Sequence, residues 1–287
     1  MADERKPKVS GVYIARSALD EINAYAEIAS EESRSCMGKS TECYGYLTTP
    51  KARRERIATS SFFPYNQDVS SAHVEIPEGS VISASEEIRK MGYRVLGFWH
   101  SHGDMNPFHS ETDNENLLSI LNRISGTSGS NCITSYLESD LLPKKIVTEI
   151  FGNKITIKDA ENQFGRSLDI GLSQESPVKS LDVLYAKIRI PYKVGFAYSV
   201  VVNAHGSDPF AKIGTRDWIP VFYEGYEKHS MEIVDQLFRT ELHVVEADNR
   251  PVDKEKIRED VLKKLKFLQE EQKGDGDKGD SNEQQLQ

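Results

Sequence analysis

Apolar and polar positions along the chain change period repeatedly. Residues 9–16 (VSGVYIAR) are apolar enough to read as a strand. Leu19, Ile22, Tyr25, Ala26 and Ala29 then recur at helical spacing, and Ser17-x-x-Asp20 predicts a capping box that opens this helix. Residues 31–41 are polar and predict a loop. Glu42–Leu47 (ECYGYL) reads as a strand that stops at Thr48-Thr49-Pro50, with further strands at Ile57–Phe63 and His73–Ile76. Val81–Met91 has helical periodicity and is closed by Gly92. Arg94–His102 (RVLGFWHSH) is apolar and β-rich, as a buried strand should be. Ser110-x-x-Asp113 opens a helix that carries Leu117, Leu121 and Ile124 on one face.

The second half is less regular. From Gly126 to about Gly195 the one clear local signal is a hairpin at Gly152-Asn153, between IVTEIF and KITI. Tyr198–Asn203, Ile219–Tyr223 and Leu242–Glu246 read as strands. Residues 253–270 predict an amphipathic helix with Ile257, Val261, Leu265 and Leu268 on one stripe. The tail over 271–287 has almost no apolar content and is expected to be disordered. Its Asp/Gly pattern fails as a calcium loop, because a ligand position falls on Gly279 and no helix follows. Strands alternating with helices in one chain predict an α/β (α+β) fold, a mixed sheet flanked by helices. No internal repeat is present.

Composition narrows the function classes. The net charge of -9 repels phosphate, so a nucleic-acid partner or an anionic membrane surface is not expected. The basic run Lys51–Arg56 (KARRER) reads as a solvated face. Three cysteines, Cys36, Cys43 and Cys132, make neither a disulfide framework nor a CxxC pair. The charged MADERKPK start is followed by no apolar h-region, no apolar run is long enough to span a bilayer, and no Asn-x-Ser/Thr sequon occurs. These features together predict a cytoplasmic setting.

The chemistry concentrates in Trp99-His100-Ser101-His102, followed by Ser110 and Asp113. Residues two apart on a strand share a face, so His100 and His102 can present two imidazoles together while Ser101 points away. A loop of seven residues then returns the chain to Ser110 and Asp113 at a helix start. Two imidazoles and one carboxylate suit Zn²⁺ and leave a fourth tetrahedral position for water, which is the ligand count of a catalytic site. Chance alone gives the full spacing about once in a thousand such chains, although Ser110-x-x-Asp113 is also an ordinary capping box. The two readings coexist, because a cap fixes the geometry of a ligand on its own turn. His109 reads as a loop residue; His73, His205, His229 and His243 lack partner spacing. Cys43 and Trp99 alternate away from the histidine face and read as core.

His-Ser-His, seven residues, Ser, two residues, Asp resembles the JAMM motif of the MPN+ zinc metallopeptidases. The upstream Glu-x-x-Gly-x-Leu of that family has its counterpart in Glu42–Leu47, and its Gly-x-x-His-Ser-His approach in Gly97–His102. The resemblance is good over residues 8–124 and weaker over 196–270. It implies a single MPN+ domain over 8–270, with an insertion at about 126–195 that either docks substrate or is a structural elaboration. It also implies one zinc per chain held by His100, His102 and Asp113. In this reading Glu42 is the general base and Ser110 holds the oxyanion. The implied reaction is hydrolysis of the bond between a ubiquitin or ubiquitin-like C-terminus and a lysine. The alternatives are a processing peptidase for a ubiquitin-like sulfur-carrier precursor and a non-catalytic MPN scaffold. The implied partners are ubiquitin-like conjugates, with a larger complex or a homo-oligomer left open. One departure stands out: Gly103 occupies the place where the family commonly has Pro, which predicts a looser loop.

Overall fold

In the computed structural model the described residues are 9–53, 55–70, 74–126, 131–141, 146–151, 154–159, 167–171, 186–221, 230–247 and 250–268. Val12, Ile14 and Ala15 are fully buried in the first strand, β1 (Val12–Ala15), which runs straight into helix α1 (Arg16–Met37). Strand β2 (Tyr44–Pro50) follows, then the short strands β3 (Ile57–Ala58), β4 (Ser60–Phe62), β5 (Gln67–Val69) and β6 (Val74–Glu75). Helix α2 (Glu78–Lys90) leads into β7 (Tyr93–Ser101), and α3 (Glu111–Ile124) comes after the motif loop. The remaining elements are β8 (Cys132–Leu141), β9 (Ile146–Phe151), β10 (Lys154–Asp159), β11 (Ser167–Gly171), β12 (Ala186–Val202), β13 (Phe210–Val221), β14 (Ser230–Thr240), β15 (Leu242–Val245), α4 (Lys254–Lys264) and β16 (Leu265–Phe267).

A seven-stranded sheet of order β14-β13-β12-β7-β2-β4 organises the chain, with β8 added on β12. The fold is therefore of mixed α/β class, as the alternation of elements predicts. At its centre β7 runs parallel to β12, with Gly97 opposite Tyr198, and antiparallel to β2, with His100 opposite Tyr44. A Cβ on Gly97 would fall 1.9 Å from the carbonyl oxygen of Tyr198, so only glycine allows these two strands their approach. The long strand β12 pairs with β7 through its C-terminal part and with β8 through its N-terminal part, from Ala186↔Leu141 to Gly195↔Cys132. The first strand of the 126–195 segment thus extends the central sheet, and β9, β10 and β11 form a small antiparallel sheet of their own.

Strand alternation assigns the two faces of β7. Trp99 joins Ile22, Ala26, Ile28 and Ala29 of α1 and Tyr198, Val200 and Val202 of β12 in the main core. Phe98, one residue earlier, faces the other way and packs with Leu117 and Leu121 of α3. Both leucines are fully buried, and burial of each stabilises the α3 contact by about 1.5–3 kcal/mol. Among the described residues no helix is long and apolar enough to cross a membrane.

Several expectations are corrected. Ser17 and Asp20 form no capping box: Ala15, still a strand residue paired with Val245, occupies the cap position without a side-chain hydrogen bond. Ser17 is already in the helix, its hydroxyl buried without a partner among the described residues. The polar stretch after residue 30 is not a loop; α1 continues to Met37 and ends at Gly38 in the left-handed region (φ 73°). Ser30 and Ser33 are buried there, bonded to the Ser40 hydroxyl and the Lys39 carbonyl, so tertiary contacts hold a segment without an apolar stripe. Ile57–Phe63 is interrupted at Thr59, because β3 pairs with β1 whereas β4 pairs with β2. The helix expected over 253–270 stops at Lys264; Leu265–Phe267 pairs with β5 instead, and Leu268 is exposed. Strand β14 was not expected. The flanks of the Gly152-Asn153 hairpin pair antiparallel as predicted, from Phe151↔Lys154 onward. Gly152 and Asn153 themselves, His73, His229 and the 271–287 tail lie outside the described residues.

Candidate metal centre

The end of β7 and the start of α3 bring three side chains to one point. His100 and His102 project from the α3 side of the sheet, and their Nε2 atoms approach to 3.0 Å. Asp113 places Oδ1 3.2 Å from His100 Nε2 and Oδ2 4.0 Å from His102 Nε2. All three residues are buried, and their ligand atoms lie within 4.8 Å of one another. Two ring nitrogens do not converge on each other and on a carboxylate without a cation or a shared proton between them. The donor set, two imidazoles and one carboxylate, is one that could hold a metal ion.

Ser110 is the N-cap of α3. Its hydroxyl accepts from the Asp113 N–H (3.2 Å) and donates to Asp113 Oδ2 (2.8 Å), while the Ser110 N–H donates to the same oxygen (2.7 Å). The expected capping box is therefore present, and it aims the carboxylate. Glu42 lies just before β2 rather than within it, because regular pairing begins at Tyr44. The Ser101 N–H still donates to the Cys43 carbonyl (2.8 Å), and the Ser101 hydroxyl accepts from the Cys43 N–H (3.0 Å). The middle residue of His-Ser-His thus clamps the chain beside Glu42 to the strand that carries the histidines. Glu42 is half-buried and shares with His100, His102, Ser110 and Asp113 the lining of a cleft of about 580 Å³.

Electrostatics suit ligation. Burial pushes His102 down to about 4, and the neighbouring His100 adds to the effect, so the ring is neutral at ordinary pH. Burial alone would raise the Asp113 carboxyl. The His100 hydrogen bond and the two Ser110 donors outweigh it and hold Asp113 ionised, well below the usual carboxylate range. Neutral imidazole and ionised carboxylate are the forms that bind metal.

Other predicted residues fall where expected or are explained. Cys43 and Trp99 are fully buried on the opposite face, and burial pushes the Cys43 thiol up to about 12. His109 is outside the ligand group: its Nε2 pairs with the buried Ser199 hydroxyl at 2.9 Å and its ring packs on Phe210. His205 pairs with Asp104 (3.1 Å), and His243 stacks on Tyr13. Gly103 does not loosen the loop. It sits at φ 54°, which proline cannot adopt, and its carbonyl accepts from Ala204 N–H at 2.8 Å. Two supports were not legible. Buried Gln67 accepts from the Tyr44 N–H (2.9 Å) and donates to the Tyr44 carbonyl (3.0 Å), as a strand partner would. Buried Asn203 donates to the Met105 carbonyl (3.2 Å) and pins the loop between the histidines and Ser110.

The family match agrees with this geometry. Residues 23–135 match the family described as prokaryotic homologs of the JAB domain. No curated protein matches the chain. Among solved structures, the solution structure of protein DSY2949 from Desulfitobacterium hafniense is 17% identical, over 58% of this chain and 94% of that one, with a TM-score of 0.27. The family match spans Glu42, both histidines, Ser110 and Asp113. With the motif and the buried His100–His102–Asp113 group, it supports the resemblance of residues 23–135 to the JAB (JAMM/MPN) family.

Proposed function

We propose that the protein is a zinc-dependent isopeptidase that hydrolyses the bond between a ubiquitin or ubiquitin-like C-terminus and a target lysine. The observation that carries this reading is the convergence of His100 Nε2, His102 Nε2 and the Asp113 carboxylate in a cleft also lined by Glu42 and Ser110. His100, His102 and Asp113 would hold the zinc ion, which would supply Lewis acidity to a water and to the scissile carbonyl. Glu42 accepts the proton of the attacking water and passes it to the leaving amine. Ser110 turns its hydroxyl from Asp113 toward the cleft and donates to the developing oxyanion, while the Ser110 N–H keeps Asp113 Oδ2 satisfied. Phe98 and Phe108 line the same cleft and limit water around the reacting groups. The cysteines are free thiols, in keeping with the reducing, cytosolic setting proposed for such a substrate.

The test is Glu42→Gln. It keeps the shape of the side chain but cannot accept a proton, and loss of a general base typically costs about 10²–10⁴-fold in rate. Cleavage of branched ubiquitin-like conjugates should collapse while zinc content and melting temperature stay near wild type. Wild-type turnover by the variant places the base elsewhere; loss of zinc makes Glu42 a ligand. Cleavage of linear fusions but not branched conjugates redirects the reading to precursor processing.

A further inference from the structure

The cleft does not end at the metal group. Along α3, Asp113, Asn116, Ile120 and Arg123 follow one another at helical spacing on its wall. Ten residues separate Asp113 from Arg123, which is about 15 Å of helix. From Glu42, just before β2, through Tyr44 and Tyr46 on it, alternate residues line the same cleft and cover about 13 Å. Both walls therefore run from the metal end, where Tyr44 lies opposite His100, to a far end that Arg123 shares with Tyr46. Phe98, Val81 and Ile120 make the middle apolar. Arg123 is the sole Lys or Arg among the described lining residues, is exposed, and has no carboxylate paired with it among the described residues. Burial keeps both hydroxyls protonated, Tyr44 donates to Tyr46 and so leaves the Tyr46 proton for another acceptor, and both feel the Arg123 charge.

We propose that this far end is a specificity subsite in which Arg123, with the Tyr46 hydroxyl, selects a carboxylate on an extended substrate segment, about four or five residues from the scissile bond. The count follows from the cleft length divided by the ~3.3 Å rise of an extended residue. A guanidinium with a hydroxyl donor nearby is suited to bidentate carboxylate recognition. Glu75, on β6, also lines the cleft, but its pairing with Asp68 sets it next to Gln67 and so at the level of Tyr44. It repels carboxylates near the metal end and leaves their selection to Arg123. The carboxylate can belong to an acidic side chain or to a free C-terminus. The inference rests on the peptidase reading for the identity of the scissile bond, and on the cleft alone for the charge preference.

The test uses labelled peptides carrying Glu, Gln or Lys three to six residues from an isopeptide bond, on either side, each with a free or amidated C-terminus. Anisotropy measures their binding to zinc-loaded Glu42→Gln protein, and wild-type protein reports cleavage. At one register the Glu peptide should bind about tenfold tighter than its Gln counterpart. Arg123→Gln should erase that difference and Arg123→Glu should transfer it to the Lys peptide, with zinc content and melting temperature unchanged. A preference that survives amidation identifies the side chain; one that vanishes identifies the C-terminus. Equal binding of Glu and Gln, persistence of the preference in Arg123→Gln, or no binding by any peptide overturns the proposal. Charge-selective binding without cleavage supports the subsite and removes the isopeptidase reading; cleavage without charge preference does the reverse.

Discussion

Asp113→Asn separates the two roles that one carboxylate combines. Its Oδ2 accepts two hydrogen bonds from Ser110, and its Oδ1 faces His100 Nε2 at 3.2 Å. Asparagine retains an amide oxygen for Ser110, so the start of α3 survives, but both bonds become neutral ones. Hydrogen bonds to charged groups contribute about 1.5–3 kcal/mol and neutral ones about 0.5–1.5, so the two bonds lose about 2 kcal/mol together. Removing an ionised group that is 8% exposed returns part of its desolvation cost. The metal-stripped variant should therefore lose about 1 kcal/mol, a shift of about 2–4 °C in melting temperature. Zinc binding should suffer far more. Loss of an outer hydrogen-bond partner typically costs 10–100-fold in metal affinity, and a lost anionic ligand should exceed that. Melting of stripped and zinc-loaded samples, with metal content by elemental analysis, gives both numbers. Full zinc occupancy with affinity within tenfold of wild type would falsify Asp113 as a ligand.

Two further outcomes follow from supports around the site. Gln67→Ala leaves the Tyr44 N–H and carbonyl without their side-chain partner, so denaturant unfolding should show a loss of about 1–3 kcal/mol and turnover should fall through misplacement of Glu42; unchanged stability would remove Gln67 as a strand substitute. His102 and His109 are held neutral in the folded protein, pushed down chiefly by burial to about 4 and about 3. The unfolded chain therefore binds more protons below its ordinary imidazole pKa of about 6.5, and stability present at neutral pH is lost as pH falls. By pH 5 the metal-stripped protein should lose up to about 2 kcal/mol for each histidine, before most carboxylates titrate. Flat denaturant stability from pH 7 to 5 would mean that these rings are solvated.

The features legible in the sequence are those encoded over short spans. The His-x-His alternation, the Ser110-x-x-Asp113 cap and the Leu117–Leu121 stripe each rest on spacings of two to four residues, and each appears as read. What was missed depends on partners beyond that span. The last turns of α1 are polar and are held by Ser30 on Ser40, Ser33 on Lys39 and the Arg34–Asp104 ion pair. The end of α4 yields to a strand because Gln67–Val69 offers an edge to Leu265–Phe267. Strand β14 pairs with β13 as the outer strand of its sheet, and its residues alternate too weakly in burial to print a period-two signal. Gln67 and Arg123 carry no local signature, since their meaning comes from what β2 and α3 bring opposite them.

One register links the site to the core. On β7, Phe98 and His100 face α3 and the cleft, while Trp99 and Ser101 are fully buried on the other side, toward α1. On β2, Tyr44 and Tyr46 line the cleft, whereas Cys43 and Leu47 join the α1 core. A slip of one residue between these strands would turn the imidazoles into the apolar core and the indole of Trp99 toward the metal position. Burying Trp99, Cys43 and Leu47 therefore sets the orientation of His100 and Glu42. Ser101 acts at the join, holding the Cys43 backbone and thereby the distance between the strand that carries the ligands and the segment that carries the base. The alternation that makes His-x-His recognisable in the sequence is the same one that packs the centre of the fold.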